Sequence, residues 1–328
     1  MPGGGFDPVK VGVVGLGHFG RQHALTLRGL SEARLVALVA RRQESLDAVR
    51  ESLPGVPGWL SAEQALNESD AEAWVVATST AAHVPVTRAL LAAGKTVLLE
   101  KPVANDLAEA ESLAPLVRAD SGNLMLGHIV LFNSEFLALQ DEVRRRGPLR
   151  HIYCARHRPT ANVDKFPGEN PMHLTMVHDL YAALALVDRR EPEAFSSQAH
   201  RTARGECDLV LAQLRWADGL LGSFSASFLT PPGMASNGYD LLEVFGDGWA
   251  ARTHSNPRPI EVWDDAARWP MALEIRADPT GPTGMMAAEL RSFCRVARGL
   301  QPVPLGATYA DALQVQRWMD RLQACWIA

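Results

Sequence analysis

Val11-Gly12-Val13-Val14-Gly15-Leu16-Gly17-His18-Phe19-Gly20 decides how this chain folds. An apolar run opening at Val9 stops in a glycine-rich turn, and a stretch with helical spacing, Phe19–Gly29, follows at once. In a G-x-G-x-x-G so placed, Gly15 makes the tight turn, Gly17 lets backbone approach a pyrophosphate, and Gly20 lets helix and strand pack closely. The first helical turn, with His18 and Phe19, then faces the anion with its unpaired N–H groups.

Outward from this motif, short apolar strands alternate with helical stretches as far as Leu126, the βαβ rhythm of a parallel sheet. Strands are expected at Val9–Val14, Arg34–Val39, Ala73–Thr78, Thr96–Leu99 and Asn123–Leu126. Helices are expected at Phe19–Gly29, Gln43–Ser52, Val84–Ala93 and Leu107–Ala119, with Gly94 closing the third. Later the texture changes. A helix at Phe136–Arg146, a strand at Leu149–Arg156 and a helix at Met176–Leu186 lead into longer strands. These are Ala194–Arg201, Asp208–Trp216, Leu220–Phe228, Tyr239–Phe245, Ala250–Thr253 and Pro259–Trp263, with turn signals at Ala217-Asp218-Gly219 and Gly246-Asp247-Gly248. Helices at Gly284–Arg298 and Tyr309–Cys325 end the pattern. The fold class is α/β: a doubly wound parallel sheet over residues 1–126, then a second α/β domain, 127–328, with a mostly antiparallel sheet.

Composition narrows the function. With 328 residues, 47% of them apolar, the chain can bury a large core, and a net charge of -5 offers nothing to nucleic acid or to an anionic membrane. No apolar run is long enough to span a bilayer, and residues 1–8 lack a signal-peptide pattern. Cys154, Cys207, Cys294 and Cys325 show no metal-ligand spacing and no disulfide framework, so a reducing cytoplasm and no metal centre are expected.

Two features point to chemistry. The second strand ends Val39-Ala40-Arg41-Arg42, where an NAD-binding sheet carries an acid for the ribose 2′-hydroxyl. A guanidinium there clasps a 2′-phosphate, so NADP is expected over NAD, with Arg41 first and Arg42 second. The other feature is Gly94-Lys95-Thr96-Val97-Leu98-Leu99-Glu100-Lys101-Pro102, a buried strand that delivers Glu100 and Lys101 to the carboxyl edge of the sheet. Lysine is scarce in this chain, only Lys10, Lys95, Lys101 and Lys165, so its place at that edge is informative.

These stretches together resemble the Gfo/Idh/MocA family of NAD(P)-dependent oxidoreductases. The likeness rests on Gly15–Gly20, on Ala77-Thr78-Ser79-Thr80-Ala81-Ala82-His83, on Glu100-Lys101-Pro102, and on Gly127-His128, Phe132-Asn133 and Gly147-Pro148-Leu149. It implies a Rossmann domain followed by a domain whose large open sheet commonly serves a homodimer or homotetramer, and a cis Lys101-Pro102 bond. Thr78, Ser79, Thr80, His83, Glu100 and Lys101 fall where such enzymes line the coenzyme. The resemblance gives Lys101 the substrate oxygen beside the nicotinamide and gives His178 the proton. Oxidising an alcohol needs such a cation and such a base as the hydride leaves.

The family writes Asp-x-x-x-His, but Leu174 stands four residues before His178. By the 3.6-residue period His173 lies about 140° round the helix from His178, and Asp179 also points off its face. His128, Arg156, His157, Arg158, His173 and Asp179 are the candidates for contact with a small-molecule substrate. The expected activity is hydride transfer at a hydroxyl or carbonyl carbon of a sugar, polyol or related molecule. A catalytically silent nucleotide-sensing protein, or a reductase of imines or cyclic carbonyl compounds, is the alternative.

Overall fold

A computed structural model gives the fold of residues 7–234, 238–256, 262–263, 267–268 and 283–326. By contacts the chain forms two units, Met1–Phe132 with Ile275–Leu313, and Asn133–Glu274 with Gln314–Ala328. The second unit is thus not the contiguous stretch 127–328 expected from the sequence, because the chain returns to the first sheet near its end.

In the first unit β1 (Val9–Val14), α1 (His18–Gly29), β2 (Ala33–Val39), α2 (Gln43–Arg50), β3 (Gly58–Trp59) and α3 (Ala62–Glu68) form one half. β4 (Ala73–Val76), α4 (Thr80–Ala92), β5 (Thr96–Glu100), α5 (Leu107–Glu111) and β6 (Leu124–Gly127) form the other. The six strands lie in the order β3-β2-β1-β4-β5-β6, every pair parallel. The strand order reverses between β1 and β4, which places a crevice at the carboxyl ends of those strands. Val11, Val13, Ala73, Trp74, Val75, Val97, Leu98, Leu99, Leu124 and Leu126 are fully buried, as a sheet covered on both faces requires.

Several local expectations change. β3 and α3 carry no sequence expectation, because a strand of two residues has no periodicity to read. α4 begins at Thr80 rather than Val84 and contains Pro85, which forfeits one helical hydrogen bond. The helix expected over Leu107–Ala119 stops at Glu111, and two 3₁₀ turns follow, the first opening with Pro115 inside it. After the second unit the chain adds α9 (Gly284–Ala297), which packs on α1 and on the 3₁₀ turn Ile129–Phe132. Ala307 and Thr308 then pair with β6.

The second unit holds α6 (Ser134–Arg146), β7 (Leu149–Pro159), α7 (Asn162–Lys165) and α8 (Val177–Leu186). A π-helical segment, Met172–Met176, leads directly into α8. β8 (Ala194–Arg201), β9 (Cys207–Arg215), β10 (Leu221–Thr230), β11 (Tyr239–Gly246) and β12 (Trp249–Asn256) follow. The sheet order is β12-β11-β7-β10-β9-β8, with only β7 and β10 parallel, so it is mixed and mostly antiparallel. One face is covered by the π-segment and α8, whose residues from Asp179 to Leu186 are all buried. Residues alternate along β9, β10 and β11 between that core and an open face, where Leu211, Leu221 and Phe245 are exposed. The last strand expected, Pro259–Trp263, lies largely outside the described residues; Val262–Trp263 (β13) pairs with Ala267–Arg268 (β14). α10 (Tyr309–Gln323) ends the fold, and in the second unit its Trp318 donates to Glu191 at 2.7 Å and meets Trp216 edge to face.

Candidate functional site

The glycine turn of the first unit has the shape its sequence requires. Gly15 has φ +94, and a Cβ there would meet the Ala77 carbonyl oxygen at 2.4 Å. A Cβ on Gly20 would lie 1.8 Å from the Gly15 carbonyl oxygen, so α1 rests on the turn with no room for a side chain. Gly17 differs: it is exposed, it caps α1 without a side-chain hydrogen bond, and a Cβ there would meet nothing within 4 Å. Bare N–H groups therefore face an open space over the helix N-terminus, next to exposed His18 and half-buried Phe19. That cradle fits the pyrophosphate of a dinucleotide. Arg41 and Arg42 are exposed just beyond β2, where the ribose of such a coenzyme ends.

The carboxyl edge of β4 and β5 carries the rest of this constellation. Thr78, Ser79 and Thr80 follow β4, with Ser79 capping α4. His83, on α4, reaches both neighbouring loops: Nδ1 lies 2.7 Å from the Pro102 carbonyl oxygen and Nε2 3.3 Å from that of Thr78. Burial lowers its pKa, so the ring is neutral near pH 7 and has one N–H to give. The shorter contact, to Pro102, is the one that proton serves. His83 thereby pins the turn after β5 to the turn after β4, and the Lys101–Pro102 bond inside it is cis.

Glu100 is buried at the end of β5, and its Oε1 lies 2.7 Å from Nε2 of fully buried His23 on α1. Glu289 of α9 joins them, each of the three offering one donor atom within 4.8 Å of the others. Burial, then the charge of Glu100, pushes Glu289 well above the usual carboxylate range, which favours its neutral form. His23 and Glu289 carry no signal in the sequence, because their role depends on α1 and α9 packing together. One residue beyond Glu100, Lys101 is half-buried at the edge. Its charge reaches His128, just past β6, which burial and that cation together hold well below the normal histidine range. His128 is thus a buried neutral ring beside Lys101.

In the second unit the substrate candidates part company. Arg156 donates from Nε and Nη2 to Asp179 at 2.8 to 3.2 Å, and its Nη1 lies 3.0 Å from Asp240. Arg158 makes a two-pronged contact with the same Asp240 at 2.5 and 3.1 Å. Arg156, Asp179 and Asp240 are buried, and the four charges sum to zero. Burial raises the Asp179 pKa against the pull of Arg156, while for Arg156 burial is outweighed by the two carboxylates and its charge is secure. Arg156 and Asp179 therefore serve each other in the core between β7, β11 and α8. His157 sits at the end of β7 with Nδ1 2.8 Å from Ser227 Oγ, its pKa lowered by burial and then by Arg158.

His173 and His178 are both half-buried, on the turn where the π-segment enters α8. The π-geometry overturns the angle read from a 3.6-residue period. Val177 N–H bonds to the Met172 carbonyl, five residues back, so this turn holds one residue more than an α-turn.

Comparison with known proteins identifies its relatives. Residues 9–128 match a family model described as an oxidoreductase family with an NAD-binding Rossmann fold, GFO_IDH_MocA. An inositol 2-dehydrogenase of Cereibacter sphaeroides is 30% identical over 266 residues, 77% of this chain and 75% of that protein. Another inositol 2-dehydrogenase, from Rhizobium meliloti, is 26% identical over 91% of this chain and 92% of its own length. Among solved structures, scyllo-inositol dehydrogenase from Lactobacillus casei with bound NAD(H) and scyllo-inositol superposes with a TM-score of 0.83 at 19% identity, covering 97% of each chain. The chain belongs to the Gfo/Idh/MocA oxidoreductase family. It is an NAD(P)-dependent dehydrogenase.

Proposed function

We propose that this chain is an NADP-dependent oxidoreductase that transfers a hydride between nicotinamide and a hydroxyl or carbonyl carbon of a polyol, sugar or related small molecule. The bound nicotinamide supplies the hydride chemistry itself. The protein must hold the coenzyme, stabilise the oxygen of the reacting carbon and move one proton. Gly15, Gly17 and Gly20 hold the pyrophosphate on α1. Lys101 stabilises negative charge growing on the substrate oxygen, and Glu100, fixed by His23, keeps the end of β5 in place beneath it. His178 exchanges the hydroxyl proton, which suits a side chain that titrates near neutral pH.

The observation that carries this reading is the placement of Lys101 at the same sheet edge as the open glycine cradle, one residue past the buried Glu100–His23 pair. The names of the relatives narrow the substrate class to polyols, with inositols first. Arg41 and Arg42, exposed with no acid between them and β2, favour NADP; NAD is the alternative coenzyme.

Lys101→Met tests the assignment. With myo-inositol and scyllo-inositol as probes, turnover should fall by about 10³-fold, since the variant loses the cation that faces developing charge. NADPH affinity should change little. Undiminished turnover in this variant refutes the role of Lys101. Two further readings belong with this one. The half-exposed apolar face of the second sheet supports a homodimer or homotetramer, which light scattering measures. Among the described residues no helix is long and apolar enough to cross a membrane, and the four cysteines are free, which supports a cytoplasmic protein.

A further inference from the structure

We propose that His173 is a positioning residue for His178, turned toward it by the π-segment so that in the working complex a bond from His173 Nε2 to His178 Nδ1, not made in this structure, holds the His178 ring in the tautomer that can accept a proton. The proposal rests on the reading of His178 as the proton carrier.

In a regular helix five residues turn through about 140°, which would put His173 on a different side from His178. Here the Val177 N–H reaches back to the Met172 carbonyl, and the additional residue absorbs about 100° of that rotation. That turns His173 back toward the side of the helix that carries His178. The residue four positions back in sequence, Leu174, is displaced from that place.

The ring of His173 is set up to accept a hydrogen bond. Gln323 of α10 faces it, and Nε2 is buried without a hydrogen-bond partner among the described residues. Burial lowers the pKa of His173 more than the carboxylates facing it, Glu169 from the preceding segment and Asp320 from α10, raise it. A neutral ring that gives its one N–H at Nδ1 presents a lone pair at Nε2. If that lone pair takes the Nδ1–H of His178, the Nε2 of His178 is left unprotonated for the substrate hydroxyl. Which nitrogen of a histidine carries the proton is set by the bond the other makes. The neighbouring carboxylate cannot do this work, since both oxygens of Asp179 are engaged by Arg156.

The tautomer can be read directly, by long-range ¹⁵N–¹H spectroscopy of histidine-labelled protein saturated with NADPH. The native protein should show His178 protonated at Nδ1, and His173→Phe should shift it toward Nε2–H. With myo-inositol as probe, kcat for His173→Phe should fall about 10- to 100-fold, part of what acid–base catalysis contributes, at nearly constant KM. His173→Gln, which keeps an acceptor, should recover most of the loss and the native tautomer; it also serves if the phenylalanine variant does not fold. An unchanged His178 tautomer in both variants overturns the proposal, and so does a rise in KM alone, which would mean direct substrate contact. A His178→Ala variant with full turnover would instead remove the underlying reading of His178.

Discussion

Gly17→Ala should separate coenzyme binding from folding. Gly17 has φ −69 and ψ −166, angles open to alanine, and an added methyl group meets no atom within 4 Å. Two small effects on stability oppose each other. Alanine narrows the unfolded ensemble, a gain of about 0.4–1 kcal/mol, and is a poorer N-cap than glycine by roughly half a kcal/mol. The variant should therefore melt within about 3 °C of the native protein. Binding has no such compensation. The methyl group fills the space over the α1 N–H groups and lifts a phosphate off them, which forfeits charge-assisted hydrogen bonds of about 1.5–3 kcal/mol. NADPH affinity, measured by calorimetry, should fall roughly 10- to 150-fold. Gly20→Ala is the control with the opposite signature: its Cβ would lie 1.8 Å from the Gly15 carbonyl oxygen, so the backbone must move and the loss appears in stability. A Gly17→Ala protein that binds NADPH within twofold of the native Kd refutes the assignment of that space to the pyrophosphate.

Arg41→Ala combined with Arg42→Ala should lower the ratio of kcat/KM for NADP over NAD by about 10- to 100-fold through the lost phosphate contact, and an unchanged ratio would remove the basis for NADP preference. Asp179→Asn should cost about 3–5 kcal/mol in urea unfolding, because Arg156 stays buried while one of its two carboxylates is gone. Adding Arg156→Met should restore much of that, and equal losses in the single and double variants would show that the pair is not what destabilises. Glu289→Gln tests whether the buried acid behind β5 is held neutral. Its folded pKa lies above the unfolded one, so the native state binds the extra proton and wild-type stability is greatest, as far as this group goes, below about pH 4.5. It declines as pH rises toward the folded pKa. The stability of Glu289→Gln relative to wild type should therefore grow from pH 5 to pH 7, by at most about 1.4 kcal/mol per pH unit, and a flat difference would mean that Glu289 is ionised in the fold.

The first unit was legible because its signals are local. Val9–Val14, the glycines after it and the apolar strand Thr96–Leu99 each declare themselves within ten residues, and the right-handed crossover does the rest. β3 escaped because Gly58 and Trp59 have no pattern of their own; they form a strand only where β2 offers its edge. The ion network of Arg156, Arg158, Asp179 and Asp240 escaped for a different reason. Its members come from β7, α8 and β11, and a reading along the chain sees two arginines after a strand where the fold has a neutral quartet, three of its members buried.

The turn before α8 shows where counting residues fails most. Spacing along a sequence becomes an angle only if the rise and twist per residue are known, and the π-segment changes both by one residue. On the 3.6-residue period Leu174 takes the place beside His178, and the helix has no polar group there. The Met172–Val177 bond turns His173 toward that position, and its outer nitrogen is buried and without a hydrogen-bond partner among the described residues. A polar group desolvated in that way costs free energy unless a partner reaches it, so the turn is less stable by itself than an apolar one of the same shape. An orienting bond to His178 in the working complex would offset that cost, which is why the missing acid of the motif and the extra residue of the turn are best understood as one feature.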